Sequence, residues 1–353
     1  MTCEEQIHEL LHLASGQNDH YKATSFWNTA IDPVISDLKE HGMENFRSWR
    51  SALSYFVPTY GAPGNSLSQE MTEELHALRL RAATTKQQQV LHKFISGENQ
   101  AFADYRVAVA VLKKTAPWLI ERASESKVGN PIEQFIFDSR SYSRSFLNYL
   151  LGLAALSEHC DLKTINNVLE IGGGFGTLGE ILHGAFDRGT IRYCNLDIPP
   201  TCSVAEYYLS EATNSSILGT LDRETVDFNS SAWSLAVKPN WDIENIKGNI
   251  DLFVNFISFQ EMEPTVVKNY MDHVLALNPK WVLLRHIREG KPKLTEQNPI
   301  GVIEPTTPEI YKNLLPGYRN ITEDSTVFGT ITADNFHSDV IVYSRTENDA
   351  RVD

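Results

Sequence analysis

The chain has 353 residues, and its 31 Lys and Arg stand against 45 Asp and Glu for a formal charge of −14, a surface that repels polyanions. No run of basic residues makes a local groove, so the composition argues against a nucleic acid partner. Cys3, Cys160, Cys194 and Cys202 have no metal spacing, no apolar run approaches bilayer length, and the acidic, amphipathic start MTCEEQIHELL is unlike a secretion signal. The expectation is a cytoplasmic chain with reduced thiols, no bound metal and no membrane contact, long enough for an α/β domain plus a second region of about 100 to 150 residues.

Residues 1–160 read as a mostly helical region. Ile7, Leu10, Leu11 and Ala14 line one side of a first helix, ended by Gly16 with Asn18 and Asp19. Phe26, Trp27, Ile31, Val34, Ile35 and Leu38 form a second apolar face, with Pro33 tolerated if it lies in a first turn. The aromatic segment from Phe46 to Gly64 closes in a Pro/Gly-rich loop. Exposed, it would be a liability, so it is expected to cap another layer or to meet a second copy in a homodimer. Further helices are predicted over 68–82, 86–95, 99–123 and 131–158, the last from Phe135, Ile136, Tyr142, Phe146, Leu147, Leu150 and Leu151.

Across 161–353 the rhythm changes. Strand-like runs at 166–171, 191–196, 250–257 and 281–287 alternate with helical ones at 177–186, 203–212 and 264–276, the order of a doubly wound sheet. Between 213 and 249, Ile217, Leu218, Thr225 and Val226 supply short strand or loop structure. A short helix through Leu315 is followed by TVFGTITA at 326–333 and SDVIVYSR at 338–345, an antiparallel hairpin, and then by a polar tail expected to fray.

The stretch NNVLEIGGGFGTLGEIL, Asn166 to Leu182, organises the rest. Val168, Leu169 and Ile171 read as a buried strand; Gly172, Gly173, Gly174 and Gly176 let the backbone turn and approach a ligand; Leu178, Ile181 and Leu182 begin a helix. That is the crevice where open α/β sheets bind ligands. Gly174, Gly176 and Gly179 satisfy the dinucleotide pattern G-x-G-x-x-G, which leaves a dehydrogenase open. Glu170, inside the strand, suits a ligand with an ammonium and a sulfonium better than a pyrophosphate. Asp197 ends the next strand roughly 20 residues on, where a carboxylate serves a ribose diol in either fold.

The run Glu170, Gly172, Gly174, Gly176 resembles motif I of the class I S-adenosylmethionine-dependent methyltransferases. Most of the chain is similar to a bacterial family of sugar O-methyltransferases within that class. The similarity lies in Ser25 to Trp27, Tyr60 with Gly61, the glycine stretch, LDIPPTCSVAEYYLS at 196–210, ISFQEM at 257–262, and the late Phe328, Gly329 and His337 to Asp339. The resemblance implies a Rossmann-like doubly wound sheet closed by an antiparallel hairpin, S-adenosylmethionine as cofactor, and methyl transfer to a hydroxyl of a sugar-like or polyol acceptor. RHIREGK at 285–291 departs from the amide-bearing strand end of those relatives. Alternatives are an aromatic natural product or modified peptide as acceptor, and a non-catalytic nucleoside-binding scaffold.

Transfer to a hydroxyl needs a base, His, Asp or Glu, as the bond forms. Glu261 just after the fourth strand, His286 ending the fifth, and the pair His337 and Asp339 are the candidates, each weighed against a helix-capping or surface role. Arg285 and Arg288 could grip a phosphate or carboxylate on the acceptor. The cofactor side comprises the glycines, Glu170, Asp197, Ile198 against the adenine, and Asn255. Tyr208, or else its neighbour Tyr207, could line the ligand, and Trp27, Tyr60 and Arg140 could supply the remaining acceptor walls.

Overall fold

The computed structural model describes residues 2–63, 65–187, 189–298, 301–322, 329–333, 335 and 337–346. The sequence features at Phe328, at 326–328 and in the tail from 347 lie outside these residues. The N-terminal part comprises α1 (Cys3–Ser15), α2 (Ser25–His41), α3 (Arg50–Tyr55), α4 (Gln69–Arg81), α5 (Thr85–Ile95), α6 (Glu98–Thr115), α7 (Pro117–Arg122), a hairpin of β1 (Phe135–Phe137) and β2 (Arg140–Tyr142), and α8 (Arg144–Ser157). The rest comprises β3 (Asn167–Ile171), α9 (Thr177–Ala185), β4 (Arg192–Asp197), α10 (Thr201–Thr213), β5 (Leu235–Pro239), β6 (Leu252–Phe256), α11 (Pro264–Ala276), β7 (Trp281–Ile287), α12 (Pro308–Leu314), β8 (Tyr318–Asn320), β9 (Gly329–Ile331) and β10 (His337–Arg345).

Three expectations for the N-terminal part are corrected. Pro33 sits inside α2 rather than in its first turn. The single helix over 99–123 is two, because Ala116 leaves helical geometry at φ −148° just before Pro117 opens α7. The helix over 131–158 is a hairpin followed by a helix. Asp138 and Ser139, at φ 47° and 64°, turn the chain so that Phe135 pairs with Tyr142. The helix begins only where Ser143 accepts from the Phe146 N–H at 3.3 Å. Phe135 and Ile136 are therefore strand residues whose spacing happened to suit a helix.

The large sheet runs β5-β4-β3-β6-β7-β10-β8, with β9 also pairing β10. Strands β3 to β7 are parallel neighbours, whereas β10 is antiparallel to β7 and enters between β7 and the chain's late edge. Its outer edge is shared: β9 pairs with His337 to Asp339 and β8 with Tyr343 to Arg345. A dinucleotide fold continues its parallel order to the edge. The inserted antiparallel strand instead gives this chain the class I methyltransferase fold. Strand β5 is hidden in the sequence by its composition. LAVKP carries Lys238, which is buried with its ammonium donating to the Asp222 carbonyl at 2.6 Å, and Pro239, which has no N–H for a ladder. Leu218 contributes one isolated bridge to Ala236 rather than a strand.

Side chains alternate across the sheet. Val168 joins a core shared with α8, α9, α10 and the N-terminal helices, while Leu169 and Ile171 join a second core against α11 and α12. The aromatic segment is the seam. Phe46 packs edge-on to Tyr208 at 5.8 Å and against Phe175 at 5.5 Å, and Trp49, Phe56 and Tyr60 are buried in the same core. Arg47 and Glu125 pair at 2.6 Å in that layer, where Glu125 also accepts from Ser143. The N-terminal helices thus roof the carboxyl ends of the parallel strands, and no helix among the described residues is long and apolar enough to cross a membrane.

Candidate functional site

A cavity of about 460 Å³ lies between that roof and the strand ends. Its floor is the bend after β3. Gly172 and Gly174 take φ 69° and 57°, values that favour glycine, and a Cβ on Gly172 would fall on Ser258 Oγ. A Cβ on Gly173 would lie 2.6 Å from both Asn195 Oδ1 and Glu170 Oε2. Gly174 is different, because a Cβ there would meet only the Phe56 carbonyl at 3.9 Å. Gly172 and Gly173 are thus required by packing, while Gly174 leaves open space on the cavity side. Gly176 and Gly179 admit Leu209 and Tyr193 from behind.

Asp197 lies at the end of β4 and lines the cavity. Its Oδ2 accepts from the Gly174 N–H at 2.8 Å and its Oδ1 from the Ile198 N–H at 2.7 Å. Burial pushes its carboxyl up to about 7, against the pull of those two N–H groups. Ile198 lines the cavity beside it. Glu170 does not reach the cavity. Tyr149 donates to its Oε1 at 2.6 Å, Tyr193 donates to its Oε2, and burial raises it to about 7. Asn255 is likewise turned inward, donating to the Ile171 carbonyl at 2.8 Å and to Ser258, and accepting from the Phe259 N–H. Both brace the bend from below.

Of the residues expected to face an acceptor, Glu261 and Arg285 line the cavity. Glu261 Oε2 accepts from Trp27 Nε1 at 2.9 Å, and Lys291 stands 3.7 Å from its Oε1. Burial raises this carboxyl, with Lys291 and then Trp27 pulling it back. Arg285 donates through Nε to Ser338 Oγ at 2.9 Å. The other candidates lie elsewhere. His286, on the opposite face of β7, stacks on Tyr311 at 5.2 Å with both ring nitrogens unpartnered among the described residues, and burial pushes it down to about 4. His337 meets Glu289, and Asp339 holds Arg288 through two bonds of 2.9 and 3.0 Å, so these four clasp the β7–β10 edge. Alternation along β10 explains the split: Ser338 faces the cavity and its two neighbours do not.

In the roof, Trp27 lines the cavity, whereas Tyr60 is buried and donates to Asp104 at 2.6 Å. Arg140 serves its own hairpin turn, donating to the Asp138 carbonyl. Tyr208 is fully buried against Phe175 and donates to Glu180.

Several lining residues have no counterpart among the sequence candidates. Arg144 enters from the first turn of α8, Tyr149 stacks on Phe256 at 4.7 Å, and Tyr55 and Phe56 come from the aromatic segment. Ile257 holds φ 72°, a strained value for a β-branched residue, directly at the cavity wall. Arg144 had a legible signal in the Ser143 cap, masked by the helix drawn through 131–158. Ile257 had none.

No protein-family model and no curated protein matches the chain. Among solved structures, the magnesium protoporphyrin IX methyltransferase of Synechocystis PCC 6803 with bound SAH is similar at 12% identity, over 56% of this chain and 81% of that one, with a TM-score of 0.38. The mitomycin 7-O-methyltransferase MmcR is similar at 12% identity over 97% of this chain and 84% of that one, TM-score 0.36. An O-methyltransferase family 2 protein from Planctomyces limnophilus in complex with apigenin matches at 12% identity over 51% of each chain, TM-score 0.32. Likenesses this distant carry no argument by themselves, and none of them singles out the sugar O-methyltransferases.

Proposed function

We propose that this protein is an S-adenosylmethionine-dependent O-methyltransferase acting on a small molecule with a flat, apolar body. The observation that carries the reading is one cavity holding both the open Gly174 with the Asp197 carboxylate and, on its other side, the buried carboxylate of Glu261. The residues fit the cofactor. Asp197 offers an acceptor for a ribose diol, Gly174 leaves room for close approach, and Ile198 gives an apolar face for a base. When bound, the cofactor supplies an electrophilic methyl group on a sulfonium.

The chain's own work is positioning and proton transfer. The walls hold the acceptor so that its hydroxyl faces the transferable carbon, an alignment that in well-oriented systems contributes up to about 7 to 11 kcal/mol. Glu261 would take the proton of the acceptor hydroxyl, its carboxyl raised by burial and pulled back by Lys291 and Trp27. The aromatic acceptor is favoured over a sugar because Trp27, Tyr55, Phe56, Met262 and Val266 make much of the wall. Polar groups such as Asn65, Asn148 and Ser145 also line the cavity, so glycosides and polyols are assayed beside phenols.

Calorimetry with S-adenosylhomocysteine and methyl-transfer assays against phenols, glycosides and polyols test this. Expected are binding of the demethylated cofactor, turnover on phenols, and a loss of about 10²- to 10⁴-fold in Glu261→Gln with cofactor binding retained. No heat with S-adenosylhomocysteine sinks the cofactor assignment, turnover on glycosides alone returns the acceptor to the sugar reading, and binding without turnover on any acceptor favours a scaffold.

A further inference from the structure

Two guanidinium groups face this cavity without an anion to meet them. Arg144 is the first residue of α8, and it donates to the Thr59 carbonyl at 3.0 Å while lying 5.7 Å from the centre of the Tyr60 ring. Arg285, on β7, spends its Nε on Ser338. Both are partly buried, both line the cavity, and neither is within ion-pair distance of a carboxylate among the described residues. The acids whose charge reaches them, Asp104 for both and Glu133 for Arg144, stand beyond ion-pair distance and hold other hydrogen bonds. Asp104 accepts from Tyr60 at 2.6 Å and Gln100 at 3.0 Å, and Glu133 accepts from the Gly61 N–H at 3.0 Å.

The Arg144 charge disfavours the Arg285 cation. Burial first, and the Arg144 charge second, push the Arg285 guanidinium down to about 10, and burial likewise lowers Arg144. Arginine cannot escape by shedding its proton at ordinary pH. A pair of unpaired, desolvated like charges destabilises the fold unless a ligand compensates them. The contrast with the rest of the site is instructive, since Arg47 has Glu125, Arg288 has Asp339 and Lys291 has Glu261.

We propose that Arg144 and Arg285 hold an anionic group, a carboxylate or a phosphate, carried by the acceptor. The inference rests on the methyl-transfer reading for what else occupies the cavity. Planar guanidinium forks donate paired hydrogen bonds to either oxyanion. An anion at Arg144 also meets the positive end of α8. With the flat body against the aromatic wall, the anion fixes which hydroxyl is presented to Glu261. An acidic phenol, such as a hydroxylated aromatic acid or its phosphorylated counterpart, has that chemistry.

The test titrates benzoate, phenyl phosphate and neutral benzyl alcohol calorimetrically into the full-length protein, with and without saturating S-adenosylhomocysteine. Expected is binding of one or both anions to the cofactor complex and none of benzyl alcohol. Benzoate above phenyl phosphate marks a carboxylate acceptor, and the reverse order a phosphorylated one. Arg285→Gln and Arg144→Gln each weaken the anion by about tenfold or more while S-adenosylhomocysteine changes by less than about threefold. Arg285→Lys keeps part of the affinity. Thermal melts control for folding, because each variant also alters a structural hydrogen bond, that of Arg144 to the Thr59 carbonyl or of Arg285 to Ser338. Anions binding no better than benzyl alcohol overturn the proposal. So do variants that weaken S-adenosylhomocysteine about tenfold while leaving 5′-methylthioadenosine unchanged, since the guanidiniums then serve the cofactor's own carboxylate. Anion binding by a protein that ignores S-adenosylhomocysteine would keep this site and remove the methyl-transfer reading instead.

Discussion

Trp27 Nε1 donates a 2.9 Å hydrogen bond to Glu261 Oε2, tying the second helix of the chain to the turn after β6 across 234 positions of sequence. The bond joins the N-terminal roof to the cavity's acid. On the proposed reading of Glu261 as the base, the roof takes part in the chemistry as well as covering the cavity.

Replacing Trp27 with Phe keeps a ring and removes the donor. A hydrogen bond to a charged group contributes about 1.5 to 3 kcal/mol, and its loss favours the protonated carboxyl, so kcat at neutral pH falls. Because the indole N–H lowers the Glu261 pKa, losing it moves the acid limb of the pH–rate profile to higher pH. An unmoved limb would detach Trp27 from the base.

Glu170 tests the opposite kind of carboxylate. Its folded pKa of about 7 lies above the ordinary glutamate value, so the folded state holds its proton more tightly than the unfolded one. The stability this contributes is full below the unfolded pKa, about 4.3, and is lost as pH rises through about 7. Glu170→Gln cannot lose that proton. Its stability relative to the native chain therefore improves by roughly 1 to 3 kcal/mol between pH 5 and 8, read by urea unfolding. A pH-independent difference would contradict the buried, tyrosine-held carboxyl.

Gly172 and Gly174 share a positive φ and differ in surroundings. Alanine at Gly174 pays only the left-handed backbone penalty, about 1 to 2 kcal/mol, and folds but binds S-adenosylhomocysteine poorly. Alanine at Gly172 adds a collision with Ser258, and Gly172→Ala melts well below Gly174→Ala. Equal melting temperatures would refute the packing assigned to Gly172.

Arg47 and Glu125 form a buried pair at 2.6 Å between the aromatic segment and the loop after α7. Arg47→Ala strands the carboxylate and lowers stability by about 3 to 5 kcal/mol in urea titrations. A loss under about 1 kcal/mol would mean that Ser143 and Gln134, which also donate to Glu125, suffice.

The sheet was legible wherever pattern and propensity agreed. The runs at 166–171, 191–196, 250–257 and 281–287 match β3, β4, β6 and β7 within a few residues, and the helices between them match as well. Strand β5 was not legible, because a buried lysine and a terminal proline erase its apolar signature. The hairpin at 135–142 was hidden because aromatic residues fill a pleated face and a helical one at similar spacings, and the decision rests on the positive φ of Asp138 and Ser139.

What the sequence by itself determined is the local geometry of the crevice: a strand that ends in glycines, a helix that begins behind them, and an acid at the end of the next strand. Those are short-range consequences of side-chain period and of the absence of a Cβ. Which polar groups face the ligand was decided only by the tertiary structure. Glu170 and Glu261 are both buried acids, yet two tyrosines enclose the first and the cavity opens on the second. Arg285 shares the cavity with Arg144 rather than with Arg288, because alternation along β7 and β10 places Arg285 and Ser338 on one face and His286, His337 and Asp339 outside the cavity. Neighbours in space are fixed by strand register and by helices packed from distant positions, and no local pattern carries that information.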